Sequence, residues 1–528
     1  MYKKKPLSFN TTLRNPNRIA GFLSVLNKYE GQILTNDLIY QICYDIISKK
    51  LYKPTAISKN REWQDIYNSP TIYFTVNEAQ EILNLSPQKH KEAGFDYGWA
   101  SRFDTWYKLI MEFGLCFYEM NAPIEISTLG KNLIKAYDES ATDDDLIQNI
   151  FLNILAKFQT STPFRKNANN NIPLMLLLKV IKLLKNDKKE NNAGVYKREI
   201  PFFLCWQNNN AEELYKYIKN FRKQYSFEAS DEIIYEHCLN LFLDEHNKDI
   251  ESLKTYIKSS KLLKESVDEY IRKMRITGVI SLRGNGRFLD FNMFEIEKID
   301  YLINNYGDCI NFISKREYYN YIQKKDSFLF KNFEKDQKDL QKIKQSVIKK
   351  YAEIYSEDKL INELIFTYKG TTKDDLLKFI DNPVRLEFLT AIALVKYFEN
   401  ITVIANYSSD DEGLPKFTAR GGMADIECFQ KNCYALVEVT LMTGASQQTE
   451  HEMTSISDHL KTASKNSEKY TIALFIAPIL QERAIDYMEY MNERKLINKN
   501  CGGIISMRIL DMIPNFKKVD EITDFVNI

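Results

Sequence analysis

The apolar and polar positions divide the chain into a helical front and a rear in which strands and helices alternate. Arg18–Lys28, Thr35–Lys49 and Val76–Leu83 carry apolar residues three and four positions apart, with polar joints between them. Arg102–Phe113 continues the pattern through Phe103, Trp106, Tyr107, Ile110 and Met111, and Gly114 offers the left-handed residue that ends many helices. Leu115–Tyr118 and Ile124–Ser127 then read as short strands about a turn at Asn121–Pro123, and Thr128 opens a further helix to Tyr137. The same order returns at 266–292. Ser266 is placed to cap a helix through Val267, Tyr270, Ile271 and Met274, with Arg272, Lys273 and Arg275 on its other positions. Gly278 ends it, and Val279–Leu282 and Arg287–Phe291 flank the turn Arg283-Gly284-Asn285-Gly286. A helix followed by a basic hairpin is the outline of a winged helix, which sets a helix in a DNA groove and the hairpin on phosphates. A small structural α+β unit has the same outline.

Asn167–Asn171 and Asn186–Asn192 read as surface loops. From Lys315 to Lys350 the chain is dense in Lys, Asp, Glu, Gln and Tyr, so Phe333–Tyr351 is expected to be an exposed connecting helix held by charge pairs four residues apart. At about 1.5 Å per residue such a helix spans roughly 27 Å, or roughly eight base pairs of DNA at about 3.4 Å each. Beyond it, Asp381 or Asn382 caps a helix with Pro383 in its first turn, running to Glu399. Strands are predicted at Ile401–Asn406, Ala424–Phe429, Tyr434–Leu441, Tyr470–Ala477 and Gly503–Leu510, and helices at Thr449–Lys465 and Leu480–Glu493. That order fits a mixed sheet covered by helices.

Charge sharpens the division. The net charge of the 528 residues is +1, but 351–528 holds 19 Lys and Arg against 27 Asp and Glu, a net of −8, leaving +9 for 1–350. A basic front suits a polyanion, and surplus carboxylates at the rear suit a divalent cation; drift in surface charge is the plainer alternative. No apolar run reaches the roughly 18–20 residues of a membrane span: Ile172–Leu184 is short and broken by Lys179 and Lys182, and Thr471–Leu480 is shorter still. The basic opening Met1–Pro6 has no apolar segment behind it, so no signal peptide and a cytoplasmic location are expected. The eight cysteines lack zinc spacing and read as scattered thiols in a reducing compartment.

The candidate chemistry lies in the rear. Asp425 starts one predicted strand, and Glu438 lies on the next between Val437 and Val439. A carboxylate in so apolar a strand needs a partner or a metal. If the hairpin sets Asp425 beside Glu438, the two carboxylates and the Val439 carbonyl form an oxygen set for Mg2+. Thr440, two residues on, shares the face of Glu438.

These residues resemble the AlwI-like type IIS restriction and nicking endonucleases, within the PD-(D/E)xK nuclease superfamily. The likeness rests on Ser8-Phe9-Asn10-Thr11-Thr12-Leu13-Arg14-Asn15-Pro16-Asn17-Arg18-Ile19, on Arg102-Phe103-Asp104-Thr105-Trp106 through Glu112-Phe113-Gly114-Leu115 to Ser127-Thr128-Leu129-Gly130, and on Gly421-Gly422-Met423-Ala424-Asp425-Ile426 with Leu436-Val437-Glu438-Val439-Thr440. The resemblance implies a multidomain α+β protein with a mainly helical, winged-helix-like recognition region and a C-terminal α/β nuclease domain. It implies Asp425, Glu438 and the Val439 carbonyl as metal ligands, Glu387 as an additional acidic residue, and Glu452 and His459 as further active-site positions. Glu450 competes with Glu452, and a solvated helix residue is the plainer reading of His459. Thr440 stands where the superfamily motif has Lys, which leaves the general base and charge stabiliser open among His459, a second metal-bound water and Lys461.

The expected organisation is recognition lobes at 1–160 and 161–310, a helical linker at 311–354 and the nuclease domain at 355–528. The expected activity is Mg2+-dependent cleavage of double-stranded DNA a few base pairs outside a short asymmetric site. A strand-specific nicking enzyme, the large subunit of a heterodimer, and an inactive DNA-binding regulator are the alternatives. Arg14, Arg18, Arg102, Lys131, Arg272, Arg275 and Arg287 are the expected DNA contacts. Dimerisation through the nuclease domain or a small second subunit, and a companion DNA methyltransferase, complete the implied partners.

Overall fold

The front of the chain folds where its caps say it should. Thr35 accepts from the Leu38 amide at the start of Asn36–Ser48, and Thr75 and Glu78 form a reciprocal capping box at the start of Val76–Asn84. Trp99–Glu112 buries Phe103, Trp106, Tyr107 and Ile110 and ends before Gly114, whose φ is +68°. Cys116–Phe117 and Glu125–Ile126 then pair antiparallel. The next helix opens at Thr128 as expected, and Ser127 before it is the cap, accepting from the Gly130 amide. A Cβ on Gly130 would lie 2.2 Å from the Leu115 carbonyl oxygen, so this helix closes on the hairpin only because residue 130 has no side chain.

The computed structural model describes the whole chain except residues 1–4, 11, 70–71, 138–141, 166–168, 189–193, 244–248, 334–336, 494–499 and 528. Thr11 and parts of the segments 167–171, 186–192 and 333–351 therefore lie outside the described residues. The architecture is multidomain α+β, in two compact units: residues 1–61 with 74–333, and residues 62–73 with 334–528. Among the described residues no helix is long and apolar enough to cross a membrane; the apolar runs of 172–184 and 471–480 are spent on the helix Pro173–Asn186 and the strand Tyr470–Ala477.

In the first unit the second helix–hairpin module forms with differences from the pattern. A π-helical turn, Lys261–Glu265, runs straight into Ser266–Ile276, so Ser266 is buried inside a helix and caps nothing. Lys273 does not point outward. Its ammonium is fully buried and donates to the Leu13 and Arg14 carbonyls at 2.7 and 2.9 Å, while Glu269 accepts from the Phe9 amide, so this helix clasps the N-terminal segment. The hairpin pairs Ile280–Arg283 with Phe288–Phe291 about Gly284, Asn285 and Gly286, all at positive φ. Val195–Tyr196 adds a third strand that its two-residue length hid from the pattern.

The second unit is built on a five-stranded sheet: β1 (Thr402–Ala405), β2 (Ile426–Phe429), β3 (Cys433–Val439), β4 (Tyr470–Ala477) and β5 (Cys501–Arg508), adjacent in that order. β1, β2 and β3 form an antiparallel meander; β3, β4 and β5 run parallel, joined through helices. Between β1 and β2, Ser408–Ser409 pairs with Pro415–Phe417 in a small hairpin whose turn includes Gly413 at positive φ.

Four helices matter for the site: α1 (Gln337–Ile354), α2 (Asn382–Tyr397), α3 (Met453–Asn466) and α4 (Glu482–Glu493). α1 corrects the expectation of an exposed connector. It packs on α2 and β1 and buries Lys344, Ile348, Tyr351 and Ala352. Lysine stems cover apolar surface as readily as they project into water, so charge density concealed a core helix. The DNA reach computed from an exposed spacer therefore has no basis.

Candidate active site

Register brings the two carboxylates together. Ile426 of β2 pairs with Val437 of β3, and in an antiparallel ladder the next step sets Asp425 opposite Glu438. The contacts agree: the Val439 amide donates to Asp425 Oδ2 at 2.8 Å, and the Asp425 amide donates to Glu438 Oε2 at 3.4 Å. Asn406, just past β1, fastens the same point, donating from its amide to the Asp425 carbonyl (2.9 Å) and from its side chain to the Ala424 carbonyl (2.8 Å).

Alternation along β3 decides what Glu438 meets. Leu436 packs with Met453, Ile456 and Leu460 of α3. Glu438, two residues on, leaves the same face. His459, between those core positions, sets Nδ1 2.8 Å from Glu438 Oε1. Glu438 is 7% exposed, and its hydrogen bond raises the His459 pKa above the usual imidazole value against the lowering effect of burial. Because Glu438 accepts at Nδ1–H, Nε2 is the ring atom left to take or give a proton.

Burial, and then the charge of Glu438, push the Asp425 carboxyl well above the ordinary carboxylate range; the Val439 amide opposes this and Glu452 adds to it. Glu452 is near enough to act on Asp425 by its charge, whereas its competitor Glu450 lies 4.0 Å from Arg483. Asp425 and His459 thus both meet Glu438, while Glu452 is linked to them only by its charge on Asp425. Glu387 stands on α2, buried; it accepts from the Ala419 amide at 3.3 Å and shares its electrostatic environment with Lys344.

The residues fit a hard divalent cation. Two nearly opposed carboxylates have no Lys or Arg ion partner among the described residues, and the repulsion that raises Asp425 is what a cation would relieve. Among the described residues no three or more His, Cys, Asp or Glu side chains are grouped so as to hold a metal ion, so the oxygens on offer are those of the two carboxylates and of neighbouring backbone carbonyls. Thr440 Oγ1 accepts from the Met442 amide at 3.1 Å, and the Lys461 ammonium donates to Asp458 at 3.4 Å.

One buried cation escaped the sequence reading. Lys344 of α1 is 3% exposed and donates to the Ala405 and Tyr407 carbonyls at 2.6 and 3.1 Å. Those carbonyls bracket Asn406, so Lys344 braces the residue that fastens Asp425. Its only sequence signal is a lysine one position from Ile343 on a helix with few apolar residues.

The residues expected to contact DNA already have local partners in several cases. Arg14 lies 3.8 Å from both Glu265 and Asp268, Lys131 pairs with Glu30 at 2.9 Å, and Arg272 with Asp268 at 3.1 Å. Arg18 donates to the Thr12 carbonyl (2.6 Å) and to that of Leu51, and Arg287 to that of Gly284 (3.0 Å). Arg275 lies on Ser266–Ile276. Arg102 contacts His90 Nε2 at 2.7 Å.

Similar solved structures are the small subunit of the heterodimeric restriction endonuclease BspD6I (20% identity, 30% of this chain and 76% of that one, TM-score 0.25), the binding domain of the BpuJ1 endonuclease with modified DNA (12%, 56% and 94%, 0.28), and the restriction endonuclease FokI (10%, 98% and 95%, 0.23). These superpositions are loose. No curated protein matches the chain in sequence. The AlwI restriction endonuclease family model matches residues 111–359 and 331–514, a span that begins downstream of Ser8–Ile19. With most of its length matched, the chain belongs to the AlwI restriction endonuclease family and is a site-specific deoxyribonuclease.

Proposed function

We propose that the protein is a type IIS-like restriction endonuclease that binds a short asymmetric DNA site through winged-helix-like lobes at 1–160 and 161–310 and cuts a few base pairs outside it. The catalytic region is read as a PD-(D/E)xK domain in which Asp425, Glu438 and the Val439 carbonyl hold Mg2+. The carrying observation is the pair Asp425–Glu438 on adjacent strands, with His459 on Glu438. When bound, the cation supplies charge neutralisation at the scissile phosphate and acidifies a coordinated water. Glu438 orients His459 through Nδ1, so that Nε2 can hold or pass a proton where the attacking water or leaving oxygen lies. Glu452 adds negative charge beside Asp425, which strengthens the site's demand for a cation. Asn406 and Lys344 keep the Asp425 backbone in place without touching substrate.

The test is plasmid cleavage with added Mg2+, with the ends mapped, for the full chain, Asp425→Asn and Glu438→Gln. Wild type is expected to cut to one side of a non-palindromic sequence, and each variant to lose several orders of magnitude in rate while keeping specific binding. Nicked circles in place of linear product would identify a strand-specific enzyme. Cuts inside a palindrome would overturn the type IIS reading, and near wild-type cleavage by both variants would overturn the metal site.

A further inference from the structure

Within the first unit, two adjoining cavities of about 520 and 490 Å³ form one cleft between residues 5–10, the helix Trp99–Glu112 and the stretch 256–266. Its lining is strongly cationic. Of the two acidic residues there, Glu112 is bound by Arg165 through contacts of 2.7–2.9 Å, and Glu92 lies 3.7 Å from Lys108. Lys5, Arg102, Lys258 and Lys261 also line the cleft and have no carboxylate partner among the described residues. Four uncompensated charges on three separate chain segments surround an open trough.

Arg102 adds an independent sign of a missing anion. Its guanidinium lies over the Tyr52 and Trp106 rings, 4.7 and 5.6 Å from their centroids. That arrangement fixes its plane and leaves its edge to bond. Among the described residues its one polar side-chain contact is His90, another nitrogen base, whose pKa is lowered by burial and by Arg102. Arg102 Nε is buried with no acceptor among the described residues. A preorganised guanidinium edge short of acceptors, beside unpaired lysines, is a site for phosphate oxygens.

We propose that this cleft receives one phosphodiester strand of the recognised duplex, with Arg102 as the planar donor at the inner end and Lys258, Lys261 and Lys5 as point charges along the rim. This rests on the reading of the first unit as the DNA-recognition region. It assigns the backbone contact to the cleft rather than to Arg18, Arg272 and Arg287, which already hold carbonyls or a carboxylate. A free inorganic anion would need converging charges at one point; charges strung along a trough match a chain of phosphates.

The experiment compares the full chain with Lys258→Glu/Lys261→Glu, with Lys258→Arg/Lys261→Arg, and with Lys216→Glu/Lys223→Glu. The last pair is exposed on Ala211–Tyr225 and reverses equal charge outside the cleft. Binding to a short duplex carrying the mapped site is followed by fluorescence anisotropy in EDTA across a salt series. The cleft reversal is expected to raise Kd at least about tenfold and to lower the slope of log K against log salt by about two, at roughly 0.9 per phosphate contact. The arginine pair should bind as wild type, and the outer reversal should leave the slope unchanged. Equal losses in both reversals, or none in the cleft pair, would overturn the proposal while leaving DNA recognition by this unit intact. Absence of duplex binding by wild type would instead remove the reading on which it rests. Arg102→Met separates the inner donor: as a phosphate contact it should weaken binding to the mapped site and to a scrambled duplex about equally and lower the salt slope by about one, and binding unchanged on both duplexes would remove Arg102 from the cleft contact.

Discussion

Replacing Lys344 by Met keeps most of the buried stem and removes the ammonium, and the structure allows the consequences to be weighed. Burial pushes the Lys344 pKa down to about 8 from 10.5, with Glu387 opposing the fall. Carrying the charge at neutral pH therefore costs on the order of 3 kcal/mol, at 1.36 kcal/mol per pKa unit. Against that, the variant leaves the Ala405 and Tyr407 carbonyls without their donor, at about 1–3 kcal/mol each. The two effects nearly cancel near pH 7, so the sign there decides nothing. The pH dependence does. Since the folded pKa lies below the unfolded one, the unfolded chain binds the extra proton between about pH 8 and 10.5, and the penalty disappears as pH rises through that window. Wild type should gain about 3 kcal/mol on Lys344→Met between pH 7.5 and 10.5. Urea titrations read by pulsed thiol labelling of Cys428 and Cys433 report on this unit alone, because both thiols are buried in the sheet. Cleavage by the variant should fall while duplex binding holds, as Asn406 loses its brace. A stability difference that stays constant from pH 7.5 to 10.5 would refute the buried charge.

Two further outcomes follow from neighbouring contacts. His459→Ala should slow cleavage by roughly 10²–10⁴-fold. Because the His459 pKa is raised, the stability it contributes is full below pH 6.5 and lost as pH rises through the folded value, so wild type and variant should converge at alkaline pH in EDTA melts; a gap that widens with pH would contradict the Glu438 pairing. Gly130→Ala should destabilise the first unit by about 1–3 kcal/mol in thermal melts, since the added methyl meets the Leu115 carbonyl at 2.2 Å; helix propensity alone predicts stabilisation of about 0.5–1 kcal/mol, so a raised Tm would refute the steric reading.

The sheet that carries the site was legible because each of its signals is local. Alternation around Glu438 and the close spacing of two predicted strands, with Asp425 opening the first and Glu438 thirteen positions further on in the second, point to Asp425 lying opposite Glu438. The stops at Gly114 and Gly278 were legible for the same reason: only a residue tolerant of positive φ ends a helix that way. What stayed hidden depends on tertiary partners. Lys344 and Lys273 look like solvated charges until the carbonyls they hold are known. The strand Val195–Tyr196 exists only because the hairpin beside it accepts a third member. Glu450 and Glu452, two residues apart, are told apart only by their tertiary neighbours, Arg483 beside the one and Asp425 within the electrostatic reach of the other.

The composition of the second unit has a bearing on protein engineering. Residues 62–73 belong with 334–528, and α1, which opens the longer segment, fills the unit's core with Ile348, Tyr351 and the Lys344 stem. No single cut in the gene releases either unit whole. A fusion that grafts residues 355–528 onto a foreign DNA-binding module would discard the helix that braces Asn406, and one begun at 334 would still lack 62–73. A portable cleavage cassette from this chain therefore has to be a two-piece transplant or a circular permutant, and a failed simple fusion would say nothing against the nuclease chemistry.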